Sequence, residues 1–256
     1  MNLRLSLLVL GILLAGMTGQ GAEGYFDSAG VRIRYVEMGN PAGPPVLLVH
    51  GYMATADLNW RIPGVTGVLV DDYRVIALDN RGHGKSDKPT EESDYGPKMA
   101  EDSVRLLDHL RIPKAHVVGY SMGGMITLYL AAHHPDRLLS AGVTGMGWVV
   151  KPTSPEAKPT QIPRAVTPAL KSCFRSFPML GLTRKQLADI RVPMRVIIGS
   201  GDELYERRVK PFSEVRPDVK VVLIDGANHL NCMFRQEFKD EVKAFLDAQP
   251  TPTAYR

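Results

Sequence analysis

The stretch Gly119-Tyr120-Ser121-Met122-Gly123-Gly124 sets a serine between two glycines. An apolar run, His116-Val117-Val118, precedes it, and a second apolar stretch, Met122 to His134, follows. This is G-x-S-x-G at a strand-to-helix junction. A chain that turns so sharply crowds the positions two before and two after the serine, and glycine at 119 and 123 removes the side chains that would collide. The turn presents Ser121 above a helix N-terminus, where free N–H groups and the helix dipole favour negative charge. A serine so placed is a candidate nucleophile for acyl transfer. Without a base it is an idle residue in a tight turn, because a hydroxyl is a poor nucleophile until its proton is taken.

The chain has seven histidines. His229 closes Asp225-Gly226-Ala227-Asn228-His229, just past the apolar run Val221-Val222-Leu223-Ile224. Loops leaving the carboxyl ends of strands are where α/β sheets gather their chemistry. His109, His133 and His134 fall in helical patterns, His116 heads a strand, His83 lies in a Gly-rich turn, and His50 precedes Gly51 at another strand end. His229 is therefore the candidate base. An orienting carboxylate is expected from Asp202, which follows Arg195-Val196-Ile197-Ile198-Gly199-Ser200-Gly201; Glu203 and Asp225 are rivals. The order Ser121, Asp202, His229 is one of the known chain orders for such a triad. Donors to a developing oxyanion, each worth ~2.7–4 kcal/mol, are expected from the backbone N–H of Met122 and of Tyr52, with Gly51 letting the main chain approach closely.

These groups need a scaffold. Val46–Val49, Val75–Leu78, His116–Gly119, Arg195–Ile198 and Val221–Ile224 are short apolar runs of the kind buried on both faces of a parallel sheet. Leu138 to Thr144 is a weaker candidate, and Val31–Val36 alternates as a half-buried strand at a sheet edge would. Helical patterns cover Met99–Leu110, Met122–His134 and Phe234–Ala248. Strands alternating with helices predict an α/β fold with a mainly parallel sheet. Residues 147–191 break the rhythm with six prolines among Pro152, Pro155, Pro159, Pro163, Pro168 and Pro178, and are expected to form a cap inserted over the site.

Composition narrows the function classes. The chain has 256 residues and a formal charge of +4, without a run of like charges or a basic stripe interleaved with aromatics. Nucleic-acid binding is not expected. Asn2 and Arg4 precede the apolar run Leu5–Leu14, and small and polar residues follow to Gly24. That is the pattern of a secretory signal over residues 1–22, ahead of one domain over 23–256. The run is shorter than the ~20 apolar residues of a membrane span, so an exported protein without a stable span after processing is expected, an uncleaved anchor being the alternative. Cys173 and Cys232 can pair in an oxidising compartment or stand as separate buried thiols; two cysteines do not decide it. No metal-ligand spacing is present, and no cofactor is called for.

Taken together, His50-Gly51, Asp79-Asn80-Arg81-Gly82-His83-Gly84-Lys85-Ser86, the serine elbow, Gly199-x-x-Asp202 and Gly226-x-x-His229 resemble the α/β-hydrolase superfamily, especially its small esterase and lipase-like members, from about Tyr25 to Ala248. The resemblance implies an eight-stranded, mostly parallel sheet with a cap after the sixth strand. It implies a serine hydrolase acting on a small ester or related acyl compound. Asp79–Ser86 reads as a supporting turn. Met53, Trp148, Phe174, Phe177 and Leu204, with Tyr52, are candidates for an apolar acyl pocket. Two features depart from the family: the cap is short and Pro-rich, and Glu203–Arg208 is unusually charged. Serine in place of aspartate at the elbow argues against the dehalogenase and epoxide-hydrolase branches. A ligand sensor on the same scaffold, and acyl transfer, peracid formation or carbon–carbon hydrolysis by the same triad, are the alternatives.

Overall fold

Each apolar run becomes a strand. The computed structural model describes residues 21–153 and 166–250. Nearly all of the expected leader, residues 154–165 of the insertion and the tail 251–256 lie outside the described residues. The strands are β1 (Ala22–Asp27), β2 (Arg32–Gly39), β3 (Pro45–Val49), β4 (Arg74–Leu78), β5 (Ala115–Tyr120), β6 (Leu138–Thr144), β7 (Met194–Gly199) and β8 (Val221–Ile224). They form one sheet in the order β1-β2-β4-β3-β5-β6-β7-β8. From β4 to β8 every pairing is parallel, while β1 and β2 run antiparallel to their neighbours. β3 and β5 sit at the centre, buried along their whole length, which is why their sequences show no polar alternation.

Two expectations are corrected at the sheet's first edge. β2 is not an edge strand, because β1 pairs along it from Ala22↔Glu37 to Asp27↔Arg32. β1 escapes notice in the sequence because only Phe26 of its six residues is buried; main-chain pairing, not an apolar face, makes it a strand. The Arg34 of β2 is not solvated either. It is buried against Glu23 at 3.0 Å and Asp79 at 3.3 Å.

Helices cover both faces. α1 (Pro97–His109) and α2 (Met122–His133) pack on one face together with the cap, and α6 (Gln236–Asp247) packs on the other. α2 is apolar all round because β5 and β6 lie beneath it and α1 and the cap lie over it. The insertion follows β6, as expected, yet it is not simply a proline-rich loop. It contains α3 (Pro168–Arg175) and α4 (Arg184–Asp189) before β7, and α5 (Lys210–Val215) follows later. Thr167 caps α3, accepting from the Leu170 N–H, and Thr183 with Gln186 forms a capping box for α4. Those Thr-Pro and Thr-x-x-Gln signals are legible in the sequence once sought. The cysteines lie in separate core clusters on opposite faces, both as free thiols, so the disulfide alternative falls.

Candidate active site

The elbow is built as its glycines require. A Cβ at Gly119 would lie 2.0 Å from the Gly123 carbonyl oxygen, and one at Gly123 would lie 1.9 Å from that of Val49. Both clashes are with main chain, which has nowhere to go. Gly123→Ala is therefore expected to cost ~3 kcal/mol or more, the upper end of overpacking effects, read as a lowered urea midpoint. The turn holds Ser121 at φ 55°, ψ −113°, a left-handed setting that costs a non-glycine residue ~1–3 kcal/mol. It is kept there by the Ser121 N–H donating to Thr144 O at 2.8 Å, while Thr144 Oγ1 donates to Gly119 O, also at 2.8 Å.

The loops after β7 and β8 are stitched to each other. The Gly201 N–H donates to Ala227 O at 2.8 Å, and the Gly226 N–H donates to Ser200 Oγ at 3.0 Å. Gly199 lets them close, since a Cβ there would sit 2.3 Å from Ala227 O. This brings Asp202 to His229. The imidazole Nδ1–H donates to Asp202 Oδ2 at 2.7 Å, and the Ser121 hydroxyl donates to Nε2 at 3.0 Å. The carboxylate is acceptor-only, so it places the ring proton on Nδ1 and leaves Nε2 free to accept. Asp202 is buried, and its second oxygen accepts the Leu204 N–H at 3.0 Å. The rivals Glu203 and Asp225 are exposed. Among the described residues, no group of three or more His, Cys, Asp or Glu is arranged to hold a metal ion.

The loop after β3 runs over the elbow. A Cβ at Gly51 would sit 3.3 Å from that of Ser121. The Gly51 N–H is taken by Asn59 Oδ1 at 2.7 Å, and its carbonyl accepts from the Ala54 N–H and from His50 Nδ1. The His50 tautomer is set by the Asn80 N–H, which donates to Nε2 at 2.9 Å and so leaves the proton on Nδ1. Gly51 C=O and Tyr52 N–H are opposite ends of one peptide group. Holding the carbonyl toward His50 turns the Tyr52 N–H the other way. Within the described residues neither that N–H nor the one of Met122 donates to anything, so both are free for a ligand oxygen.

Of the residues expected to line a pocket, three come together. The Tyr52 ring lies 5.5 Å from both Phe174 and Phe177, which are 5.1 Å apart. The Tyr52 hydroxyl donates to Leu170 O on α3 at 3.0 Å, and burial pushes its pKa up to about 12, so it stays neutral. Met53 stands exposed on the turn at φ 60°. Leu204 serves Asp202 through its main chain. Trp148 is buried in the core, its indole N–H donating to Leu182 O at 2.8 Å across the cap's two ends; a buried indole needs such an acceptor.

Residues 44–166 match the family model of the α/β-hydrolase fold. The whole described architecture agrees with it: 2-hydroxy-6-oxo-6-phenylhexa-2,4-dienoate hydrolase of Rhodococcus sp. strain RHA1 superposes with a TM-score of 0.74 over 90% of this chain and 100% of its own, at 21% identity. The described chain has the α/β-hydrolase fold, and residues 44–166 match that family. In sequence it is 29% identical to a Pseudomonas putida protein named dihydrolipoyllysine-residue acetyltransferase component of acetoin cleaving system, over 86% of this chain and 68% of that one. It is 30% identical to the Rattus norvegicus bifunctional epoxide hydrolase 2 over 54% of this chain, which spans 24% of the rat protein.

Polar residues hold the site from behind, and of these Asn59 stands in no motif of the sequence, whereas His50 and Asn80 fall in two of the motif stretches. Asn59 and His50 fix the loop that carries Tyr52. Asn80 holds His50 with both its main-chain N–H and its side-chain amide, the latter on His50 O at 3.2 Å. Asp79 ties the same turn to that loop, accepting the Ala56 N–H at 2.8 Å and the Lys85 N–H at 2.9 Å. The Asp79–Ser86 stretch is thus the supporting turn that was expected, and its support is directed at the Tyr52 loop.

Proposed function

We propose that the chain is a serine hydrolase that cleaves a carboxylic ester, or a related acyl compound, through an acyl-enzyme. One observation carries the reading: Ser121, His229 and Asp202, drawn from three loops, are joined by hydrogen bonds of 3.0 and 2.7 Å. His229 takes the Ser121 proton as Oγ adds to the acyl carbon, then gives it to the leaving alkoxide as the alcohol departs. Water repeats the sequence on the acyl-enzyme, giving the acid and free Ser121. Asp202 holds the ring and stabilises the imidazolium. The N–H groups of Met122 and Tyr52 receive the oxyanion. The aromatic group of Tyr52, Phe174 and Phe177 supports an apolar acyl chain. No cofactor enters these steps.

The relatives' names suggest other substrates. Serine opening an epoxide would leave an ether, which water does not cleave under these conditions, so the elbow residue supports an acyl substrate instead. Transfer of the acyl group to an acceptor other than water is the second reading, favoured by the name of the Pseudomonas putida relative. A panel of p-nitrophenyl esters of graded acyl length, run with and without competing alcohols, separates the two. A fluorophosphonate probe mapped by mass spectrometry is expected on Ser121; a label elsewhere, or no turnover of any ester, would sink the proposal. The residue pattern 1–22 supports export, which is checked by sequencing the N-terminus of the protein from the culture medium or periplasm; an intact Met1 in the cytosol counts against it.

A further inference from the structure

Tyr120 stands directly before the nucleophile, and none of the steps above uses it. It is buried among the residues of the α6 face, its ring centroid 6.1 Å from that of Phe238 and 5.5 Å from the His229 imidazole. Gly145 makes room for the ring, since a Cβ there would approach it to 2.8 Å. The Tyr120 hydroxyl donates to the main-chain carbonyl of His229 at 2.6 Å, across 109 positions of sequence. Within the described residues this is the only hydrogen bond made by the His229 main chain. The rest of that loop is held elsewhere: Ala227 O by Gly201, and the Asn228 side-chain oxygen by the N–H groups of Leu230 and Asn231. Asp225, Gly226, Asn228 and Leu230 are all exposed, and the loop's nearest core anchors, Ala227 and Cys232, lie two and three residues from His229.

We propose that Tyr120 is a positioning residue for the base, fixing the His229 backbone relative to the elbow so that Nε2 stays within reach of Ser121 Oγ. The proposal rests on the reading of Ser121 as nucleophile and His229 as base. Its physical content is short-range. Tyr120 ends β5 and Ser121 follows it, and the bonds of Thr144, at the end of β6, to Gly119 O and the Ser121 N–H hold the residues on either side of Tyr120. A phenol is a rigid arm once its ring is packed. The hydroxyl therefore sets one end of the Ser121–His229 distance by reference to the serine's own neighbour. Proton transfer needs the heavy atoms within ~2.6–3.2 Å, and a misplacement of ~1 Å costs ~10²-fold. The ring alone, without its hydroxyl, leaves the carbonyl free to drift toward solvent.

Tyr120→Phe keeps the packed ring and removes only the bond. On a short p-nitrophenyl ester the variant is expected to lose ~10- to 100-fold in kcat, with KM within about twofold and Tm within a few degrees. The labelling rate of Ser121 by a fluorophosphonate should fall by the same factor. A readout that needs no turnover is the low-field proton signal of His229 Nδ1–H, assigned by its loss in His229→Ala; it should shift or broaden in Tyr120→Phe. Unchanged kcat with an unchanged imidazole signal overturns the proposal. So does a rate loss that merely tracks a loss of folded protein, with the signal of the folded fraction unaltered. If Ser121→Ala or His229→Ala retains full turnover, the triad reading fails and the positioning role falls with it. If both abolish turnover while Tyr120→Phe is silent, only the role of Tyr120 is lost.

Discussion

Ser121→Ala is expected to remove ~10³-fold or more of kcat toward p-nitrophenyl esters, with little change in fold. Alanine keeps the Cβ, so the residue remains in the same left-handed setting, φ 55°, with the Thr144 contact to its N–H intact. The N–H groups of Tyr52 and Met122 also remain, and activity that survives is what those donors provide without a nucleophile. Binding of substrate should change little, because the hydroxyl contributes to bond making, not to apolar contact. Steady-state kinetics on the purified variant, with circular dichroism to verify folding, checks this. Turnover equal to that of the wild type would mean that another residue attacks. Ser121→Gly provides a second reading of the same site: relieved of backbone strain, it should be more stable than the alanine variant by ~1 kcal/mol, and equally inactive.

Stability is expected to fall steeply between pH 6.5 and pH 4, because three histidines are buried as neutral rings. Burial lowers the pKa of His50 to about 4, of His83 to about 3 and of His116 to about 4. His50 has an N–H donor on Nε2 and a carbonyl on Nδ1, so a second ring proton would break the bond from Asn80. His83 lies 5.2 Å from His50, and its Nε2 has no partner within the described residues; a proton there would be a buried, unsatisfied charge. His116 meets Ser140 Oγ at 2.8 Å.

In the unfolded chain these rings take up protons near pH 6.5, and in the fold they do not until much lower pH. Between those values the unfolded state binds more protons, so stability rises with pH and is lost on acidification. One pKa unit corresponds to ~1.4 kcal/mol, which makes roughly 2–3 kcal/mol per histidine by pH 4.5. The sum is comparable with the ~5–15 kcal/mol total stability of a domain. Urea unfolding at pH 7.5, 6.0 and 5.0 should show the free energy falling through this window. A flat profile from pH 7.5 to 5.0 would show that the rings take up protons in the fold as readily as in the unfolded chain, and His116→Asn should reduce the slope by up to one proton.

The residues that carry the proposed chemistry were largely legible because their signals are local. Glycine at 119 and 123 is a steric necessity of one turn, and the apolar runs of β3, β4, β5, β7 and β8 follow from burial in a parallel sheet. Candidates that follow a strand end, such as His229 and Asp202, inherit their place from that strand. What escaped depends on pairing between distant segments. β1 is a strand only because β2 lies beside it, and Arg34 is buried only because Glu23 and Asp79 converge on it. Trp148 became core because the two ends of the cap meet at Leu182.

By itself, then, the sequence determined the order of the elements, the elbow and the short list of acids and bases, since each rests on periodicity or sterics within a few residues. The tertiary structure decided which of them meet. Asp202 rather than Glu203 or Asp225 faces His229 because the Gly199–Ala227 contact joins two loops. The separate burial of Cys173 and Cys232 on opposite faces, the neutral state of three histidines and the Tyr120–His229 bond were decided in the same way. Hydrogen bonds and desolvation act over ångströms in space, and distance along the chain carries no record of them.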